Sequence, residues 1–284
     1  MKKLCVSALF LLVTAQAFAD EEGGGFRLLD MGCKADTESG PDTSAQSPPL
    51  DVDDPGTPGC NRWEINVLAD ADVAKRNKQY ELPLLDLNYG IGDNLQLKYE
   101  VPLEKSSIDG VSDSRVGDSK FGIKYMFYEN ENSGLQLAFY PQVEFLTPGT
   151  KNDNKQDAAT GNIVSLPLLL SKNVGENDKG DINLTANLAY NLSTRRDTED
   201  SVFFAAGAGF GVTENLALMG EISTEQALRK NVDDVREELV KANFGLIEKI
   251  NNEFSLYGSL GHSLKSSDNL DHTYAVVGFR ILTE

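Results

Sequence analysis

The sequence predicts an all-β fold, an antiparallel transmembrane β-barrel of about twelve strands with an unstructured N-terminal extension. Three observations predict it. The chain opens on an export signal, a dozen runs alternate apolar with polar residues, and the connections between runs are long and short by turns.

The export signal comes first. Met1-Lys2-Lys3 is a short basic start, Leu4 to Val13 is an apolar run, and Ala17-Phe18-Ala19 is a small-x-small cleavage site. This is the pattern of a secretory signal peptide over 1–19, too short for a spanning helix. Cys5 lies at the start of the apolar run and not at the cleavage site, so it does not read as a lipoprotein cysteine. Cleavage removes two of the 26 basic residues and none of the 44 acidic ones, leaving 24 against 44 and a net charge of −20. That balance argues against a nucleic-acid partner. No later stretch is apolar enough for a transmembrane helix. The mean hydropathy of −0.32 does not exclude a membrane barrel. Strands that alternate lipid-facing and lumen-facing residues average to a polar value.

Residues 20–60 differ in character from the rest. Gly23-Gly24-Gly25, Pro41, Pro48-Pro49, Pro55 and Pro58 sit among Asp, Ser and Thr, and apolar residues are few and aperiodic. The composition predicts an acidic, Pro/Gly-rich extension without a fold of its own. Phe26, Leu28, Leu29 and Met31 form its one apolar cluster. Cys33 and Cys60 survive signal cleavage, and in an oxidising compartment a disulfide is the simplest expectation for them.

From Asn61 to Glu284 the period is two. Leu95, Leu97, Tyr99, Val101 and Leu103 share one face, and Gln96, Lys98 and Glu100 the other. Next, Phe121, Ile123, Tyr125 and Phe127 oppose Lys120, Gly122 and Lys124. Leu135, Leu137, Phe139, Val143 and Phe145 oppose Gln136, Tyr140, Gln142 and Glu144. Ile182, Leu184, Ala186, Leu188 and Tyr190 oppose Asn183, Thr185, Asn187 and Asn191. Further runs begin near Trp63, Tyr80, Ile163, Val202, Leu216, Val240, Phe254 and Thr273. Most strands of soluble sandwiches are about five or six residues long. Runs of about nine to thirteen suit tilted strands that cross a bilayer.

The connections give an independent argument. Long ones are expected at 69–78, 104–116, 148–160, 194–200, 228–238 and 264–270. Short ones fall at Gly92-Asp93, 129–133, 174–180, Thr213-Glu214 and Asn251-Asn252, rich in the Gly, Asn and Asp of tight hairpins. This asymmetry is that of outer-membrane barrels, and an even strand count puts both mature termini in the periplasm. One segment has another period. Leu228, Val232, Val235 and Leu239 are spaced by four, three and four, which reads as a short helix within a loop, or else an irregular loop.

Three stretches carry a family resemblance. They are Leu87-Asn88-Tyr89-Gly90-Ile91-Gly92-Asp93-Asn94-Leu95-Gln96-Leu97, then Val116-Gly117-Asp118-Ser119-Lys120-Phe121-Gly122-Ile123-Lys124-Tyr125, and then Pro141 to Gly149 with Leu166-Pro167 beyond. Together they resemble the outer-membrane family labelled as putative phenol meta-pathway (MetA-type) transporters, over roughly residues 80 to 280. The resemblance implies an outer-membrane location and passage of small, aromatic or apolar molecules, with no catalytic residues to carry over. The chain departs from such barrels by ending on Thr283-Glu284, not on an aromatic residue, with Phe279 the nearest, and by its acidic extension.

Enzyme chemistry finds no support. His262-Ser263 and His272-Thr273 are adjacent pairs whose side chains diverge on a strand. No nucleophile elbow, phosphate loop or His-x-x-x-His pair is present. No cofactor or metal is implied, because Asp109, Asp113 and Asp118, or Asp197, Glu199 and Asp200, lack calcium-loop spacing. The expected partners are outer-membrane lipid, lipopolysaccharide, the barrel assembly machinery and a small solute. The informative residues are inward charges: Lys98, Glu100, Lys120, Lys124, Glu144, Glu221 and Arg280. Such charges set selectivity in a conducting lumen. They can equally pair with one another and fill a narrow one.

Overall fold

The computed structural model describes residues 25–26, 33, 44–75, 77–150, 161–177, 180–196, 198–230 and 234–283. The expected signal peptide and most of residues 20–43 lie outside them. Twelve antiparallel strands form the wall. They are β1 (Trp63–Val73), β2 (Asn77–Ile91), β3 (Leu95–Ile108), β4 (Ser119–Asn130), β5 (Leu135–Phe139 with Gln142–Phe145) and β6 (Ile163–Asn177). The second half is β7 (Gly180–Ser193), β8 (Ser201–Gly211), β9 (Leu216–Ala227), β10 (Glu238–Lys249), β11 (Phe254–Ser266) and β12 (Thr273–Leu282). Each pairs with the next, and β12 returns to β1 from Thr273↔Val73 to Leu282↔Glu64. The barrel is closed, so no wall strand is left with a free edge. β5 is interrupted at Tyr140-Pro141, where proline has no N–H to give the ladder.

Several strands run further than the alternation alone predicts. β1 and β2 meet across 74–76 instead of a loop over 69–78. Residues 104–116 form a hairpin, with Val111–Val116 pairing back onto the upper part of β3 around Asp109 (φ 49°) and Gly110 (φ 86°). Val111 to Arg115 are exposed, so no buried face imposes a pattern there. The segment around Leu228 holds no helix among its described residues. Thr224 to Ala227 belong to β9 and Glu238 to Lys241 to β10, so the spacing of four, three and four arises where two strands flank a loop.

The radial distribution of polarity is the reverse of a soluble protein's. Leu188, Phe204, Ile222, Phe244, Leu260 and Val277 face outward and are exposed. Asn66, Asp86, Asn88, Gln96, Lys98 and Arg280 face inward and are buried. Only hydrocarbon around the barrel makes such an arrangement favourable. Trp63 packs against Tyr89 with ring centroids 4.8 Å apart and Phe254 against Phe279 at 5.7 Å, both pairs tilted and both at the short-turn end. Aromatic residues at that level match an interfacial girdle.

Residues 44–60 differ most from expectation. They lie inside the barrel, with Ala45 and Val52 fully buried and Leu50 nearly so. Their composition lacks any period because the lumen wall, not a regular element of their own, satisfies their backbone.

Candidate functional site

The lumen is crossed by a strap, residues 44–60. Ser44 and Thr57 to Gly59 stand at the short-turn mouth. Between them the chain rises into the barrel, turns at 46–50 with the Leu50 amide on the Gln46 carbonyl (3.0 Å), and returns. At the returning end the Gly59 carbonyl lies against β2, where a Cβ on Gly90 would come within 1.8 Å of it. Only glycine at 90 admits this crossing. Cys33 and Cys60 are joined by a disulfide, with Cα atoms 5.4 Å apart. The strap's base is therefore a covalently closed loop.

The wall holds the strap by its backbone. The two carboxylate oxygens of Glu221 accept consecutive amides, from Asp51 (2.8 Å) and Val52 (2.6 Å). Asn187 accepts from the Asp53 amide (2.6 Å) and donates to the Asp53 carbonyl (2.7 Å), as a neighbouring strand would. Ser259 donates to the Pro49 carbonyl at 2.7 Å. Lys124 donates to the Asp53 carboxylate (2.9 Å) and to the carbonyls of Asp54 (2.8 Å) and Gly56 (3.1 Å). Lys241 and Ser223 bind the Asp51 carboxylate at 2.6 and 2.8 Å. Apolar contacts complete the seat: Ala45, Leu50 and Val52 pack with Leu68, Leu84, Met219 and Ile247.

The inward charges predicted from the alternation stand in this lumen, each with a partner. Lys98 lies between Glu100 (2.9 Å) and Asp86 (3.5 Å), and Lys120 reaches Glu100 at 3.2 Å. Arg280 lies 3.5 Å from Glu64 and donates to Asn66 at 3.3 Å. Glu144 sits higher, where Arg195 binds it at 2.8 Å and Asp118 at 2.5 Å. Lys124 and Glu221 hold the strap, not one another. Asp51, Asp53, Asn187 and Lys241 share this work and were not singled out by the sequence. The one signal was two apolar residues, Leu50 and Val52, next to a Pro-Pro turn within an acidic stretch.

Space remains on both sides of the strap. Toward the long loops a cavity of about 370 Å³ is floored by Pro48 to Asp51 and walled by Leu68, Lys98, Glu100 and Lys120 among others. Toward the short turns a second, of about 520 Å³, lies between the strap, Glu64, Lys249 and Arg280.

Known structures share this architecture. The NanC porin matches at TM-score 0.54 and 10% identity, over 76% of this chain and 98% of that one. The fold is that of an outer-membrane β-barrel. The translocator domain of the autotransporter NalP from Neisseria meningitidis matches at TM-score 0.51 and 11% identity, over 81% of this chain and 90% of that one. No protein-family model matches the chain, and no curated protein is similar to it in sequence.

Beside the long loop between β11 and β12, His272 is held between two carboxylates. Its Nδ1 lies 2.7 Å from the Asp72 carboxylate and its Nε2 2.9 Å from that of Asp268. Burial opposes the imidazolium, but hydrogen bonds to Asp268 and Asp72 outweigh it and raise the pKa. Asp268, opposed by burial but bonded by Ser266, the Leu270 amide and His272, falls to about 2.

Proposed function

We propose that this protein is an outer-membrane channel for small molecules, with both mature termini in the periplasm and its lumen closed by residues 44–60 in the state described above. The strap carries this reading. It separates two cavities, of about 370 and 520 Å³, that lie toward opposite ends of a polar lumen. Beside the apolar contacts of Ala45, Leu50 and Val52, it is fastened by hydrogen bonds and ion pairs, which water can replace when the strap leaves. A barrel closed for good gains more from apolar filling than from paired charges. The phenol meta-pathway resemblance supports aromatic or apolar solutes, and the outward belt supports contact with lipid and lipopolysaccharide. On this reading the barrel assembly machinery inserts the chain.

Single-channel recording tests the proposal. The refolded mature chain should be mostly silent in a planar bilayer. The same chain without residues 44–56 should show discrete, reproducible steps. A deletion variant that keeps heat-modifiable gel migration and yet stays silent would favour the alternative, a non-conducting structural or interaction barrel acting through its loops or its N-terminal extension.

A further inference from the structure

The cavity between the strap and the long loops has a mixed lining. Leu68, Leu84, Phe203 and Val276 are its apolar groups. Asp86, Lys98, Glu100 and Lys120 are charged. The charges do not balance. Asp51, Asp70, Asp86, Glu100 and Glu225 line the space against Lys98, Lys120 and Lys241. Each ammonium already has a carboxylate: Lys98 has Asp86 and Glu100, Lys120 has Glu100, and Lys241 has Asp51.

Two carboxylates remain without a cation in contact. Glu225 accepts only from neutral groups, Asn191 (2.9 Å) and Ser201 (2.6 Å). The Asp70 carboxylate has no hydrogen bond or ion pair among the described residues. Leu68 lies two residues along the same face, Val276 is its register partner on β12, and the Lys241 ammonium, whose field reaches it, is held by Asp51. On the other side its register partner on β2 is Glu81, whose carboxylate is likewise without a hydrogen bond or ion pair among the described residues. Glu81 lines a separate cavity beside Asp70, so a positive charge bound in this one would meet the Asp70 carboxylate next to an aliphatic surface.

We propose that this cavity binds a small organic cation, an amine with an apolar body. Its ammonium lies at Asp70, and its body lies against Leu68, Leu84 and Val276. The volume of about 370 Å³ falls within the range of small-molecule sites. The mature chain's net charge of −20, 24 basic against 44 acidic residues, draws cations toward the mouth. An inorganic cation would gain from the carboxylate alone, an aromatic acid from the apolar groups alone. The inference rests on the channel reading only for the ligand's route; binding stands apart from conduction.

Calorimetry on the folded mature chain in detergent tests it, with benzylammonium, methylammonium, benzyl alcohol and phenylacetate as probes. Benzylammonium should bind at least about tenfold more tightly than each of the other three. Asp70→Asn should weaken it by about tenfold, the effect of one desolvated charge pair at the low end of its range. Phenylacetate or methylammonium binding as well as benzylammonium would overturn the proposal without any variant. An Asp70→Asn protein with unchanged affinity would overturn it too. A protein that binds benzylammonium in this manner but never conducts would refute the channel and leave the site in place.

Discussion

Lys124→Met makes the sharpest test of how the strap is held. The ammonium is buried, with 4% of its side chain exposed, and serves three acceptors on the strap: the Asp53 carboxylate and the carbonyls of Asp54 and Gly56. Methionine keeps the apolar stem over the Tyr140 ring, where the ammonium now sits 5.0 Å from the centroid. It removes every donor. Breaking one side of a buried ion pair costs about 3–5 kcal/mol, because the other charge is left uncompensated. That cost falls on the seated strap. A released strap takes Asp53 into water. The ratio of seated to released strap should therefore drop by roughly 10² to 10⁴. Val52→Cys is a suitable reporter, since Val52 is fully buried when the strap is seated. In the Lys124→Met background the introduced thiol should react faster with a membrane-impermeant reagent by the same factor, and channel open time should rise with it. Lys124→Glu, which sets a carboxylate against Asp53, should release the strap further and shift ion preference toward cations. A folded Lys124→Met barrel whose reporter thiol reacts no faster would refute the assignment of Lys124 as a fastening.

Other expectations follow from the same contacts. Cys60→Ser removes a cross-link of sequence separation 27. It should cost the strap's closed loop roughly 3–4 kcal/mol of chain entropy, read as faster labelling of the Val52→Cys reporter with unchanged barrel migration. Gly207→Val should unseat the strap from the opposite wall, since even a Cβ there would come within 2.9 Å of the Ala45 side chain and 3.1 Å of Val52; bilayer recordings should show more open time. For His272 the folded pKa lies above the unfolded value of 6.5, so its stabilisation is complete below that value and is lost as pH rises through the folded pKa. A protonated ring donates to both Asp72 and Asp268, a neutral ring to only one. Amide exchange over 267–272 should thus accelerate, beyond its intrinsic base catalysis, in alkaline buffer but not in His272→Gln. An imidazole resonance titrating at or below 6.5 would remove the basis for this.

Much of the wall is legible in the sequence because a membrane strand obeys one rule at every residue. Leu95, Leu97, Tyr99, Phe121, Ile123 and Tyr125 face outward to hydrocarbon, so each polar substitution there is costly and the pattern stays clean. Beyond the bilayer that pressure ends, and the paired arms at 104–116 look like loop. The inward set was readable as a set: Lys98, Glu100, Lys120, Lys124, Glu221 and Arg280 sit on polar faces of well-marked strands. Their partners were not readable. Alternation gives a side chain's direction but not its height in the barrel or what stands across the lumen. The strap was the least legible part. Its hydrogen bonds to the wall go to side chains 68 to 210 residues away, such as Lys124, Asn187, Glu221 and Ser259, so nothing local records them.

The path of the strap has a topological consequence. Ser44 and Gly59 open onto the same cavity, so the segment enters and leaves by one mouth. It does not pass through the barrel from end to end. A bight of chain inserted this way is not threaded: it can be withdrawn or reinserted with the ring of twelve strands intact and the β1–β12 seam unbroken. Attached at Cys60 to the start of β1, it stays leashed to the rim when it is out, like a stopper on a short chain. Occlusion can then be undone and restored in a mature, membrane-inserted molecule, with no need to unfold any part of the wall.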